Sequence, residues 1–288
     1  MATVSVTKCH GTGNDFLILD RRSGSELNYA EIARALCPRR FSVGADGLLV
    51  LQDPADPTSD IGMRIFNPDG SEAAMCGNGI RCVARYLYEE NPEAAESVIE
   101  TAAGRRQTAI VTWQGRSGAR VAMGEPVFAG GADGRLDHAA HLGAELAPAY
   151  AVSMGNPHVV LFATGDVGEN ELVQAAAIVA SWKVFPSEPN VEVVRVAGNE
   201  LFMRVHERGA GETWACGTGA CAAAAAAIAS KRTASPVTVT TKGGSVRVSW
   251  DGPGHPAFLT GNAELIFHAD VEIESAQDVG ATAAPTHR

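Results

Sequence analysis

Short runs of alternating apolar and polar positions cover most of this chain, interrupted by a few stretches of helical spacing. Val4 and Val6 alternate with polar neighbours and residues 16–19 form an apolar run. A hairpin is therefore predicted around Gly11-Thr12-Gly13-Asn14-Asp15, with Asn14 at the turn, where Asn can supply left-handed backbone geometry. Asn28 followed by Glu31 reads as a capping-box helix start; Ile32, Ala33 and Leu36 give its apolar face and Pro38 stops it. Val43-Gly44-Ala45-Asp46-Gly47 turns into a strand over 48–51, and Asn67-Pro68-Asp69-Gly70 marks a turn after a strand ending at Phe66. Past Cys76, the positions Ile80, Val83, Ala84 and Leu87 keep helical spacing until Asn91-Pro92. Strands are predicted over 98–101, 108–113 and 120–123, and a loose crossing segment over 129–148. Leu172, Ala176 and Val179 predict a helix over 169–183, followed by an antiparallel pair built from 191–196 and Leu201, Met203 and Val205. A helix of almost pure alanine follows Cys216, then strands over 237–241, 245–250 and 265–267, with a disordered tail over 275–288.

Residues 63–82, MRIFNPDGSEAAMCGNGIRC, and 203–221, MRVHERGAGETWACGTGAC, are two copies of one pattern. An offset of 140 positions (216 minus 76) needs no gap; it pairs Met63-Arg64 with Met203-Arg204, Glu72 with Glu212, Cys76-Gly77 with Cys216-Gly217, and Gly79 with Gly219. Asn67 and Glu207 stand equally far before their cysteines, and Gly155-Asn156 opens the second half much as Gly13-Asn14 opens the first. Two copies at so long a period point to duplicated lobes, since a solenoid needs at least three. The expected fold is mixed α/β (α+β), with a lobe over 1–118 carrying Cys76 and one over 119–262 carrying Cys216. A closing strand near 263–274 would return to the first lobe. Two lobes imply a cleft with one cysteine on each wall.

At 288 residues the chain has ample length for two cores. A formal net charge of −10 argues against nucleic-acid binding, which needs clustered cations, so an anionic small molecule would need a local donor site. No signal-peptide core is visible, and the run Ala220 to Ala229 is too short to span a bilayer. A cytoplasmic protein with six reduced cysteines is expected, and no Cys-x-x-Cys spacing suggests a zinc site. The sequence leaves oligomeric state open, a homodimer included.

Cys76 and Cys216 each precede a helix, where unpaired N–H groups and the positive end of the dipole favour a thiolate and a nearby carboxylate. A nucleophilic thiol enzyme needs one cysteine with an activating histidine, whereas two equivalent thiols suit inversion at carbon, one removing a proton and the other supplying one from the opposite face. The developing enolate-like charge would rest on the N–H groups of Gly77-Asn78 and Gly217-Thr218. No cofactor and no metal are required. The other reading of paired thiols is a redox or metal-binding protein. Cys9, Cys37, Cys82 and Cys221 read as small core residues.

Taken together, GNDF at 13–16, MCGNG at 75–79, GNPH at 155–158, HERG at 206–209 and ACGTG at 215–219 resemble the diaminopimelate epimerase family, over about residues 10 to 267. The resemblance implies two similar lobes, each a curled mixed sheet around a central helix, and pyridoxal-independent interconversion of LL- and meso-2,6-diaminopimelate in bacterial lysine and peptidoglycan precursor synthesis. It further implies that Cys76 and Cys216 are the acid–base pair, that His158 assists Cys76 and that Glu207 assists Cys216. Asn14, Asn67, Asn156, Asn190, Glu207 and Arg208 match the positions that hold the substrate, with Gly77, Asn78, Gly217 and Thr218 under the reacting carboxylate. Gly47 departs from the family's frequent Gln, which implies altered affinity. The alternative is another cofactor-free two-cysteine enzyme, such as a proline racemase-like one.

Overall fold

The computed structural model describes residues 2–22, 24–129, 134–136, 146, 148–185 and 187–273. The expected tail over 275–288 and most of the crossing segment lie outside the described residues. The first half runs β1 (Ala2–Gly11), β2 (Asn14–Asp20), α1 (Tyr29–Leu36), β3 (Gly47–Gln52), β4 (Ile61–Phe66), β5 (Glu72–Ala73), α2 (Gly77–Glu90), β6 (Glu96–Thr101), β7 (Gly104–Trp113) and β8 (Arg116–Gly124). The second runs β9 (Val127–Ala129), β10 (Arg135–Leu136), β11 (Ala149–Ser153), β12 (Pro157–Ala163), α3 (Glu169–Ser181), β13 (Asn190–Ala197), β14 (Glu200–Glu207), β15 (Gly211–Thr213), α4 (Gly217–Ala229), β16 (Val237–Thr241), β17 (Gly244–Ser249), β18 (Ala257–Asn262) and β19 (Glu264–Ile273).

The pairing of strands repeats. In the first lobe β2–β3 is parallel, β3–β4 antiparallel, β4–β6 parallel, and β6–β7–β8 antiparallel. In the second, β12–β13, β13–β14, β14–β16 and β16–β17–β18 follow the same sequence of directions. β8 and β18 pair with each other and join the lobes into one mixed sheet; residue 118, the expected boundary, lies within β8. β19 pairs antiparallel with β1, bringing the end of the described chain back to the first lobe, as β9 pairs with β11 in the second.

Each lobe wraps one helix inside its sheet and lays another outside. α2 packs against β1, β2, β6, β7 and β8, and α4 against β11 through β14 and β16 through β18. Ala220 through Ala227 on α4 are at most 1% exposed, so this helix is apolar all round because it is enclosed all round. Alanine is the strongest helix former and its one-carbon side chain lets strands approach closely. α1 covers the outer face of the first lobe through Ile32, Ala33 and Leu36; burying Ile32 or Leu36 contributes about 1.5–3 kcal/mol each. Asn28 caps α1, its Oδ1 accepting from the Glu31 N–H at 3.2 Å. α3 covers the second lobe in the same way through Leu172, Ala175, Ala176 and Val179.

At the first hairpin the left-handed residues are Thr12 (φ 56°) and Gly13 (φ 79°), and Asn14 is already the first residue of β2. The turn thus takes its geometry one step earlier than expected, which frees the Asn14 side chain. Among the described residues no helix is long and apolar enough to cross a membrane.

Candidate active site

Each lobe builds its cysteine with the same local device. β4 leads into the Asn67–Gly70 turn, closed by hydrogen bonds Asn67 N–H to Ser71 O (2.8 Å) and Gly70 N–H to Asn67 O (2.9 Å). Arg64 then grips Glu72 through a two-bonded fork at 2.7 and 2.8 Å. Arg204 grips Glu212 with the same two distances. Two parallel charge-assisted bonds fix orientation as well as separation, so the short strand before each cysteine is tied to the strand beneath it.

Cys76 is the N-cap of α2 with extended backbone (φ −144°, ψ 113°), and Cys216 is the N-cap of α4 (φ −122°, ψ 112°). The Cys76 thiol donates to Asn14 Oδ1 at 3.7 Å, and Asn78 Nδ2 donates to the same oxygen at 3.1 Å. Asn14 is held from the other side, its Nδ2 donating to Asp46 Oδ2 at 2.8 Å. Cys216 Sγ accepts from the Gly219 N–H and lies against Thr218 Oγ1, both at 3.4 Å. Glu207 accepts from the Thr213 hydroxyl.

The two helix starts meet. A Cβ added to Gly217 would lie 3.6 Å from Gly77 Cα and 3.6 Å from Asn78 Oδ1, and one on Gly77 would strike Met123 Cε at 2.8 Å. A side chain at Gly77 would have to displace the end of Met123, while one at Gly217 would crowd Leu259 Cδ2 at 3.1 Å. Leu259 packs against both glycines, and Asn78 Nδ2 reaches the Ala215 carbonyl in the opposite lobe at 3.3 Å.

Burial pushes the Cys76 thiol up to about 11, opposed by the Gly79 and Asn78 N–H groups and reinforced by the Glu207 charge. Cys216 is pushed well above the usual thiol range, first by burial and then by Glu207 and Glu192. Burial also raises the Glu207 carboxyl, against hydrogen bonds from Thr213 and Cys216. One carboxylate thus acts on both thiols.

His158 is fully buried; Nδ1 meets Glu192 Oε1 at 2.7 Å and Nε2 meets Asn156 Oδ1 at 3.1 Å. Its described partners are these two, with Cys76 not among them. Asn190 Oδ1 accepts from the Arg208 N–H at 2.9 Å and lies beside His158 in the β12–β13 register, while the Arg208 side chain is exposed. Asn67 bonds its own turn through Ser71 Oγ at 2.9 Å. At Gly47 a Cβ would lie 3.0 Å from the Phe66 carbonyl, leaving little room for the longer side chain expected there. Glu192, Arg81 and Asp46 were not singled out by sequence reasoning; only their position in the fold gives them neighbours at the site. Two surface cavities of about 310 Å³ lie elsewhere, one lined by Ser5, Asp20, Tyr86 and His268, the other by Asp60, Glu96, Arg120 and Phe258.

A family model described as diaminopimelate epimerase matches residues 6–129 and 150–266. The diaminopimelate epimerase of Halothermothrix orenii is 39% identical over 283 residues, covering 94% of this chain and 99% of its own. That of Pelotomaculum thermopropionicum is 42% identical over 276 residues, covering 92% and 97%. Among solved structures, a probable proline racemase from Agrobacterium radiobacter K84 has a TM-score of 0.67 at 19% identity, covering 96% of this chain and 94% of that one, a likeness of fold.

Proposed function

The chain belongs to the diaminopimelate epimerase family, and on that premise we propose that it interconverts LL- and meso-2,6-diaminopimelate, with Cys76 and Cys216 as the acid–base pair. The observation that carries this reading is the meeting of two cysteine-capped helices at Gly77 and Gly217. A thiolate on one wall takes the α-proton: the C–H bond breaks and an S–H bond forms. The thiol on the other wall gives its proton to the opposite face, so the centre inverts and the negative charge ends on the second sulfur. The N–H groups of Gly77-Asn78 and Gly217-Thr218 receive the charge that builds on the substrate carboxylate.

Glu207 serves Cys216, supported by its charge, which with burial pushes that thiol up. His158 assists Cys76 in this reading, while its described hydrogen bonds go to Glu192 and Asn156. Asn14, Asn67, Asn156, Asn190, Glu207 and Arg208 hold the amino and carboxylate groups, with Arg offering a fork and Asn both donor and acceptor. The lobes carrying each thiol divide at the β8–β18 seam. The work is cytoplasmic, within lysine and peptidoglycan precursor synthesis. A homodimer is part of the proposal, supported by Ile266 and Phe267, which are 54% and 41% exposed on β19.

α-Proton exchange in D₂O, run side by side with LL-diaminopimelate and with proline, tests the substrate. Exchange is expected with diaminopimelate; uptake with proline alone would overturn the choice.

A further inference from the structure

Among the described residues, Thr12 is the only β-branched side chain on left-handed backbone (φ 56°). A β-branched residue there is a genuine outlier, kept only where its surroundings over-determine it. Thr12 is buried at the tip of the β1–β2 turn, and two contacts hold it. The first is Arg81 of α2, itself wholly buried, whose Nη2 donates to Thr12 Oγ1 at 2.7 Å while Nε donates to the Asn262 carbonyl at 3.3 Å. Two glycines leave room for the guanidinium: a Cβ on Gly11 would lie 3.1 Å from Nη2, and one on Gly261 would lie 3.3 Å from Cζ.

The second contact comes from the other lobe. A Cβ on Gly243, in the β16–β17 turn, would overlap the Thr12 carbonyl oxygen, and that is backbone, which no rotamer change can move aside. Gly243 does not have left-handed backbone, so it is the space, not the conformation, that excludes a side chain. The fit is reciprocal: a Cβ on Gly13 would lie 3.3 Å from Gly243 Cα and 3.5 Å from Trp214 Cε3.

Each of these turns leads to a cysteine. The Gly243 N–H donates to the Trp214 carbonyl at 2.9 Å and Lys242 Nζ reaches Glu212 Oε2 at 2.7 Å, so the β16–β17 turn grips residues 212–214, just ahead of Cys216. In the first lobe Gly13 is followed by Asn14, whose Oδ1 accepts from the Cys76 thiol at 3.7 Å and from Asn78 Nδ2 at 3.1 Å. Asn78 Nδ2 also meets the Ala215 carbonyl at 3.3 Å. The first lobe therefore touches the second at Trp214 and Ala215, the two residues before Cys216.

We propose that Arg81 and Gly243 are positioning residues: Arg81 presses the strained Thr12 turn against the bare backbone of Gly243, and this clamp between the lobes fixes where Cys76 stands relative to Cys216. The clamp deepens the two-thiol reading and rests on it for its consequence in turnover.

Hydrogen exchange of the full chain, read peptide by peptide by mass spectrometry, tests the clamp without substrate. Arg81→Met removes the bond to Thr12 and alters no residue of the β16–β17 turn. Amides over 12–15 and, in the other lobe, over 241–245 should nevertheless exchange about tenfold faster. Arg81→Lys, which keeps a donor, should restore part of the protection over 241–245. Gly243→Ala keeps its N–H and adds only the Cβ. It should speed exchange over 12–15 and lower kcat for α-proton exchange about tenfold or more, with KM changing less. Unchanged exchange over 241–245 in folded Arg81→Met, or over 12–15 in folded Gly243→Ala, overturns the clamp; the second variant decides if the first fails to fold. Full turnover by Gly243→Ala despite faster exchange over 12–15 overturns the positioning role. Absence of diaminopimelate turnover in the unaltered protein, with the exchange pattern as expected, would fault the substrate and not the clamp.

Discussion

Glu212 receives Arg204 through two bonds and Lys242 through a third at 2.7 Å. The Arg204 hydrogen bond, against the effect of burial, holds its carboxyl down to about 2 from an ordinary 4.5. A depressed folded value means that its stabilising contribution is complete above the ordinary value and is lost as pH falls toward about 2. Glu212→Gln should therefore melt below the unaltered protein at pH 7, with the gap closing as pH falls from about 4.5 to 2. Thermal denaturation of both proteins across that window checks this; a constant gap would contradict it. The partners Arg204 and Glu212 were legible because the repeat carries both, but the fork required the β14–β15 register that sets His206 opposite Glu212. Glu192 and Arg81 were not legible. Glu192 reads as the polar member of an alternating strand, and its burial arises because α4 starts directly over it: a Cβ on Gly219 would lie 2.6 Å from its Oε1. Arg81 reads as the usual charge on a helix, and only a sheet closing on all sides buries it.

Among the elements, α1 to α3 followed from helical spacing, with a capping box for α1, and α4 from its alanine content and its place in the repeat. β18 did not: Ala257–Asn262 is short and preceded by Gly252, Pro253, Gly254 and Pro256, and becomes a strand by pairing with β8 and β17. β5 and β15 were missed for a similar reason, having two and three residues and no period to read. The alanine run of α4 suits close packing, and its enclosure makes that testable. Ala224 is fully buried, so Ala224→Leu should force neighbouring strands apart and destabilise by about 1–3 kcal/mol or more. A urea titration should show the lower midpoint; an unchanged midpoint would mean that α4 has room around it.

For the molecule as a whole, duplication was the most legible feature. The offset that aligns the cysteines also sets β6 against β16 and β8 against β18, because both halves keep the same order of elements from β4 onward. The seam itself, β8 on β18, was hidden, as long-range pairing leaves no local mark. What the duplication supplies is two cysteine-capped helices whose first turns meet at Gly77 and Gly217, and the carboxylates of Glu207 and Glu192 in the second lobe break its symmetry. Whether both sulfurs act on one carbon is read most directly from early turnover of LL-diaminopimelate in D₂O, with deuterium located separately in product and in recovered substrate. Inversion by two thiols predicts deuterium at the inverted centre of meso product and almost none in recovered LL substrate. Deuterium entering recovered substrate as fast as product would mean a single base serving both faces, and would contradict the pairing of Cys76 with Cys216.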